Sequence, residues 1–149
     1  MAVVETEQHG EIFVIRMNRP EALNALNTEI RTLLSEAWNK FEDSNDLEVA
    51  IFTGSGRGFC AGEDMKEALQ AGKPGFSKPL ERPDPFMTDN LTKPVIGAVN
   101  GFAMGGGFML VERTDLRLAV RGTLFEMSEA KRWMLGGWNH GHVANLPFP

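Results

Sequence analysis

Cysteine occurs once in the 149 residues, at Cys60. This excludes a disulfide framework and any multi-cysteine zinc site, and it suits a reducing compartment. A secretion signal is missing too: "MAVVETEQHGEI" carries acidic residues where a signal needs a basic start followed by a long apolar run. No apolar stretch reaches the roughly 20 residues of a membrane span. Together these absences predict a cytoplasmic protein without membrane contact. Positive charge is also in deficit, with 15 Lys and Arg against 20 Asp and Glu and a net charge of -5. That balance argues against broad nucleic-acid binding, although a local basic patch could hold an anionic ligand.

What remains is ordinary for a globular protein: 42% hydrophobic and 23% charged residues, and a length that suits one domain with a core of its own, residues 1–149. Segments 2–7 and 11–17 flank the turn signal His9-Gly10 and predict a hairpin. Pro20 breaks the second arm. From Thr28 to Asp43 the residues Ile30, Leu33, Leu34, Ala37, Trp38 and Phe41 recur at helical spacing, with Asn27 as the cap. "EVAIFTG" at 48–54 and "PVIGAVNG" at 94–101 read as strands buried on both faces, and "TDLRLAV" at 114–120 as a third of that kind. The four prolines of residues 71–85 predict a mobile loop, and the tail from residue 136 is irregular. Alternating strands and helices predict an α/β fold with functional loops at the carboxyl ends of buried strands.

Two segments, "AIFTGSGRGFCAGEDMKEAL" and "VIGAVNGFAMGGGFMLVE", share one plan of strand, glycine-rich turn and helix start. Glycine at a helix start lets a ligand approach the backbone, and the first N–H groups with the helix dipole attract negative charge. Either turn alone is as readily a device for tight packing. Nucleotide motifs do not fit: "GSGRGF" has Phe59 where a dinucleotide fingerprint needs its third glycine, and "AGKP" lacks the first glycine and the Ser/Thr of a P-loop.

Four motifs, "NRPEALNAL" at 18–26, "FCAGEDMKE" at 59–67, "KPVIGAVNGFAMGGGFML" at 93–110 and "FEMSEAK" at 125–131, resemble in order and spacing those of the crotonase (enoyl-CoA hydratase/isomerase) superfamily. The resemblance implies a crotonase-like spiral of ββα repeats that binds acyl-CoA thioesters and stabilises an enolate. It implies that the backbone N–H groups of Glu63 and Gly106 hold the thioester oxygen. Backbone donors suit that task because they are fixed before the reaction, and one such donor is worth about 2.7 to 4 kcal/mol of barrier. The Glu63 carboxylate must then point away from the enolate or be protonated. By the same resemblance Ala22, Leu23, Ala25, Ala61 and Asp64 line the CoA groove, and Lys66 meets its phosphates. Coenzyme A enters as part of the substrate, with no separate cofactor and no metal.

A hydratase of this family resembles a two-carboxylate machine, with one glutamate two residues after the glycine triplet and the other in the following segment. The first position is Met109 here and the second is Glu129. A thioether has no useful proton affinity, so Glu129 is left to act alone. That pattern resembles the Δ3,Δ2-enoyl-CoA isomerases of the family. An apolar pocket walled by Met109, Met127 and Trp133 would raise the Glu129 pKa toward neutrality. Glu112 is expected to face solvent, and Glu126 to lie near the pocket. His140 and His142 lack the neighbouring carboxylates of a metal site. Cys60 is expected to be buried and inert.

After Lys131 the family pattern gives way to "MLGGWNHGHVANLPFP", and the family's C-terminal helical region has no counterpart. If these residues are the whole protein, the apolar surface those helices cover needs another chain, which predicts a homotrimer or a multiple of trimers. The leading expectation is an enzyme that isomerises or hydrates enoyl-CoA. The alternatives are a non-catalytic acyl-CoA-binding or assembly subunit and, third, a nucleotide-binding protein.

Overall fold

The structure is a computed structural model that describes residues 2–72 and 79–128. Strands β1 (Val4–His9) and β2 (Ile12–Met17) form the expected hairpin, antiparallel with Val4 opposite Met17 and closed at Gly10. After a single 3-10 turn at Pro20–Ala22 comes α1 (Thr28–Asp43), then β3 (Val49–Gly54), β4 (Gly58–Cys60), α2 (Met65–Ala71), β5 (Val95–Val99), β6 (Phe102–Met104), α3 (Gly106–Glu112), β7 (Leu116–Ala119) and β8 (Phe125–Glu126). The order is that of a ββα spiral. Each coil after the first adds one strand to a five-stranded sheet, β1-β2-β3-β5-β7, and one to a three-stranded sheet, β4-β6-β8. All pairings after the hairpin are parallel.

Helix α1 forms where its stripe predicts. The Asn27 side chain accepts the Ile30 N–H at 2.9 Å, a cap worth about 1 kcal/mol. Ile30, Leu34, Trp38 and Phe41 turn inward from successive turns and are buried. Trp38 stacks on Phe86 with ring centroids 4.5 Å apart, and Phe52 meets it edge-on at 5.2 Å. Each such side chain contributes about 1.5 to 3 kcal/mol by burial, which holds the coils in register around one core.

The third strand of the buried kind is not buried. All four residues of β7 are exposed, with Leu116 at 64% and Leu118 at 70%. The strand lies at the edge of its sheet, and nothing among the described residues covers it. Residues 73–78 of the proline-rich segment and the tail from residue 129, with Glu129, Trp133, His140 and His142, lie outside the described residues. Among those described, no helix is long and apolar enough to cross a membrane.

Candidate functional site

The two glycine-rich turns meet. At Gly62, φ is +91°, and a Cβ there would stand 2.7 Å from the Met104 carbonyl oxygen and 3.4 Å from the Gly106 nitrogen. Only glycine fits that conformation in that space. A Cβ at Gly106 would lie 3.2 Å from Leu26 Cδ1 and 3.9 Å from Gly62 Cα. The triplet therefore divides its work. Gly105 takes φ +50°, ψ -119° to turn the chain into α3. Gly106 faces the first turn, and Gly107 packs so tightly that a Cβ would come 2.4 Å from the Cys60 carbonyl oxygen.

The first turn is held by the segment before α1. Ala61 N–H donates to Leu23 O at 3.0 Å, Leu26 N–H to Gly62 O at 2.7 Å, and Asp64 N–H to Leu26 O at 3.1 Å. Leu26 and Glu63 thus form a parallel bridge. Because successive N–H groups of an extended chain point to opposite sides, the Glu63 N–H is directed away from Leu26. Half-buried Ala22, Leu23, Ala25 and Ala61 are gathered along this bridge.

Side chains absent from the sequence reading secure it. Asn24, fully buried with φ +55°, shares its amide hydrogens among the carbonyls of Ser55, Gly58 and Phe59 at 2.9 to 3.1 Å, and its Oδ1 accepts the Arg19 N–H. Asparagine is among the few residues that tolerate that backbone, yet nothing local announces the three partners. The Glu63 carboxylate pairs with Arg31 of α1, so it is turned aside. Asp64 also turns inward. Its Oδ1 accepts the Lys66 and Glu67 N–H groups as the cap of α2, and its Oδ2 pairs with Arg19 at 2.6 Å. Burial pushes the Asp64 carboxyl up, but the Arg19 bond, the two amides and the Arg19 charge outweigh it and hold the pKa below its ordinary value. Lys66 is exposed at the start of α2.

Met109 lies on the first turn of α3, its N–H donating to Gly105 O at 3.0 Å. With Leu26, Arg31, Trp38 and Asp84 it lines a cavity of about 20 Å³. Strand β8 runs beside the triplet, where Gly105 N–H donates to Glu126 O at 2.8 Å. Glu129 follows three residues later. The Glu126 side chain accepts the Ser128 hydroxyl at 2.9 Å. Glu112 does not face solvent as expected: both of its carboxylate oxygens are buried, because the end of α3 turns this side chain into the protein. Cys60 is fully buried, donates to Asn24 O at 3.1 Å, and has its thiol pushed up to about 12 by burial. Among the described residues no three His, Cys, Asp or Glu side chains gather as a metal site.

A two-sheet ββα spiral whose glycine turns converge is the architecture of the crotonases. The family model of enoyl-CoA hydratase/isomerase matches residues 7–140, and the chain belongs to that family. It is 40% identical to enoyl-CoA hydratase EchA19 of Mycobacterium tuberculosis, over 99% of this chain and 60% of that protein. Carnitinyl-CoA dehydratase of Proteus mirabilis is 36% identical over 93% of this chain and 52% of its own length. A crystal structure of an enoyl-CoA hydratase from Mycobacterium tuberculosis matches with a TM-score of 0.82 at 36% identity, covering 93% of this chain and 54% of that one. The chain thus spans about half the length of the relatives it matches.

Proposed function

We propose that this chain acts on enoyl-CoA thioesters, with the N–H groups of Glu63 and Gly106 holding the thioester oxygen and Glu129 moving the proton. The observation that carries this reading is the convergence of the two turns at Gly62 and Gly106. The Glu63–Arg31 pair supports it by neutralising a carboxylate that would otherwise repel an enolate. In isomerisation, Glu129 takes a proton from C2 of a 3-enoyl thioester, the electron pair moves onto the held oxygen, and the same proton is returned at C4. Hydration of a 2-enoyl thioester needs a second proton carrier, a position Met109 cannot fill. On this reading half-buried Ala22, Leu23, Ala25 and Ala61 line the path of the CoA moiety, inward-turned Asp64 secures that turn through Arg19 and the α2 amides, and exposed Lys66 lies near the CoA phosphates.

Assays of 3-enoyl-CoA and 2-enoyl-CoA with the unaltered chain and with Glu129→Gln test the reading. Loss of isomerisation by about 100-fold or more in the variant is the expected result, and full activity in it removes Glu129 from the mechanism. Met109 also favours a second reading, a non-catalytic acyl-CoA-binding subunit, for which CoA thioesters would raise the melting temperature without turnover. Self-association, as a trimer or a multiple of trimers, belongs to the leading proposal and is supported by exposed Leu116, Leu118 and Val120. A stable monomer in light scattering would remove it.

A further inference from the structure

Beside Met109 the structure places a carboxyl group that no motif of the family accounts for. Asp84 opens the turn that carries Phe86 and is only 6% exposed. Its Oδ1 accepts the N–H groups of Phe86 at 2.9 Å and Met87 at 3.2 Å, while no described donor reaches its Oδ2. The turn is firmly fixed. Thr88 donates its N–H and hydroxyl to the Asp84 carbonyl at 3.0 and 2.8 Å, and Arg113 donates to the Phe86 carbonyl at 3.1 Å. Asp84 and Met109 line the same cavity of about 20 Å³, a space on the order of one water molecule. Arg31 supplies a second polar wall. The cavity adjoins the converging turns, because Leu26 lines it and also lies against Gly106.

We infer, resting on the acyl-CoA reading above, that Asp84 is the second acid–base group of this site and holds, in the cavity it shares with Met109, the water that hydration adds to the acyl chain. The water oxygen bonds to C3 as its proton passes to Asp84, and the C2=C3 electron pair moves onto the held thioester oxygen. As the enolate collapses, C2 takes the proton carried by Glu129. The two carboxyl groups then re-equilibrate by proton exchange with solvent, so atoms and charge balance. Burial, the largest influence on Asp84, pushes its carboxyl up against the opposing pull of the Met87 and Phe86 amides and the Arg113 charge. A carboxylate with that shift is the stronger base near neutral pH.

Asp84→Asn keeps the Oδ1 acceptor and removes the base. Its hydration of a 2-enoyl-CoA is expected to fall about 100-fold or more, with the ratio of hydration to isomerisation dropping at least about tenfold. Restoring a carboxylate from α3, in Asp84→Asn/Met109→Glu, is expected to recover hydration by at least about tenfold. Unimpaired hydration in Asp84→Asn, or equal loss of both activities without recovery in the double variant, overturns the inference. A chain that isomerises but does not hydrate also overturns it and leaves the acyl-CoA reading standing. A chain that neither turns over nor binds an acyl-CoA overturns both.

Discussion

Arg31 and Glu63 form an ion pair at the strand bridge that carries the Glu63 amide, with side chains only 14% and 22% exposed. Losing one partner of such a pair leaves the other charge stranded in a poorly solvated place. For Arg31→Met the expected stability loss is about 2 kcal/mol, below the roughly 3 to 5 kcal/mol of a fully buried pair. If the proposed enolate forms beside the Glu63 amide, activity should fall further than stability explains, because the released carboxylate would repel it. Arg31→Met/Glu63→Ala should recover most of the kcat/KM. A double variant no better than Arg31→Met rejects the repulsion.

Neighbouring glycines should respond differently to one added methyl group. Gly107→Ala sets a Cβ against the Cys60 backbone and should cost about 3 kcal/mol in urea unfolding, at the upper end for overpacking. Gly106→Ala meets the flexible tip of Leu26, so it should fold nearly normally while losing turnover. Equal stability losses in the two variants would remove the assigned division of labour.

Two buried aspartates should give opposite pH signatures. The Asp84 carboxyl is raised by burial above its ordinary 3.8, so its favourable contribution is complete below that value and lost as pH rises through the folded pKa. The stability of Asp84→Asn relative to the unaltered chain should therefore improve from about pH 4 toward neutrality. Asp64 is lowered despite burial, chiefly by Arg19. Its contribution is present above 3.8 and lost as pH falls through the folded value, so the deficit of Asp64→Asn should shrink in acid. Thermal unfolding of the three proteins from acid well below pH 3.8 up to neutrality measures both trends.

The Cys60 thiol should resist labelling in the native protein. It is fully buried, and its pKa of about 12 leaves almost no thiolate at pH 8. An aromatic disulfide reagent should titrate one thiol only after unfolding; rapid native labelling would contradict the packing around Gly62 and Gly107.

Much of this architecture is legible in local pattern. The bounds of α1 and its Asn27 cap follow from spacing and cap chemistry within one segment, and the hairpin follows from Gly10 and its flanks. Strand β7 shows the limit of that logic. Its alternating Leu116 and Leu118 announce a strand, but whether the strand is covered depends on what packs against the sheet edge, which local pattern does not encode. The meeting of Gly62 and Gly106 was legible only through the resemblance, since it requires two coils to stack. Asn24 and Arg31 carry no local signal for the same reason: each acts on residues distant in the chain. The "DPFM" run had a signal of its own, an aspartate ahead of the two amides it caps.

The coiled winding of the chain has a mechanical corollary. Gly62 and Gly106 lie in the turns that follow β4 and β6, strands of successive coils that pair in parallel, so the spacing of the two proposed donors is tied to that ladder. Stretching the molecule along its axis would strain that ladder and widen the gap between the two proposed donors at the same time. Substitutions that disturb the β4–β6 ladder would then alter the proposed grip as well as the stability of the fold.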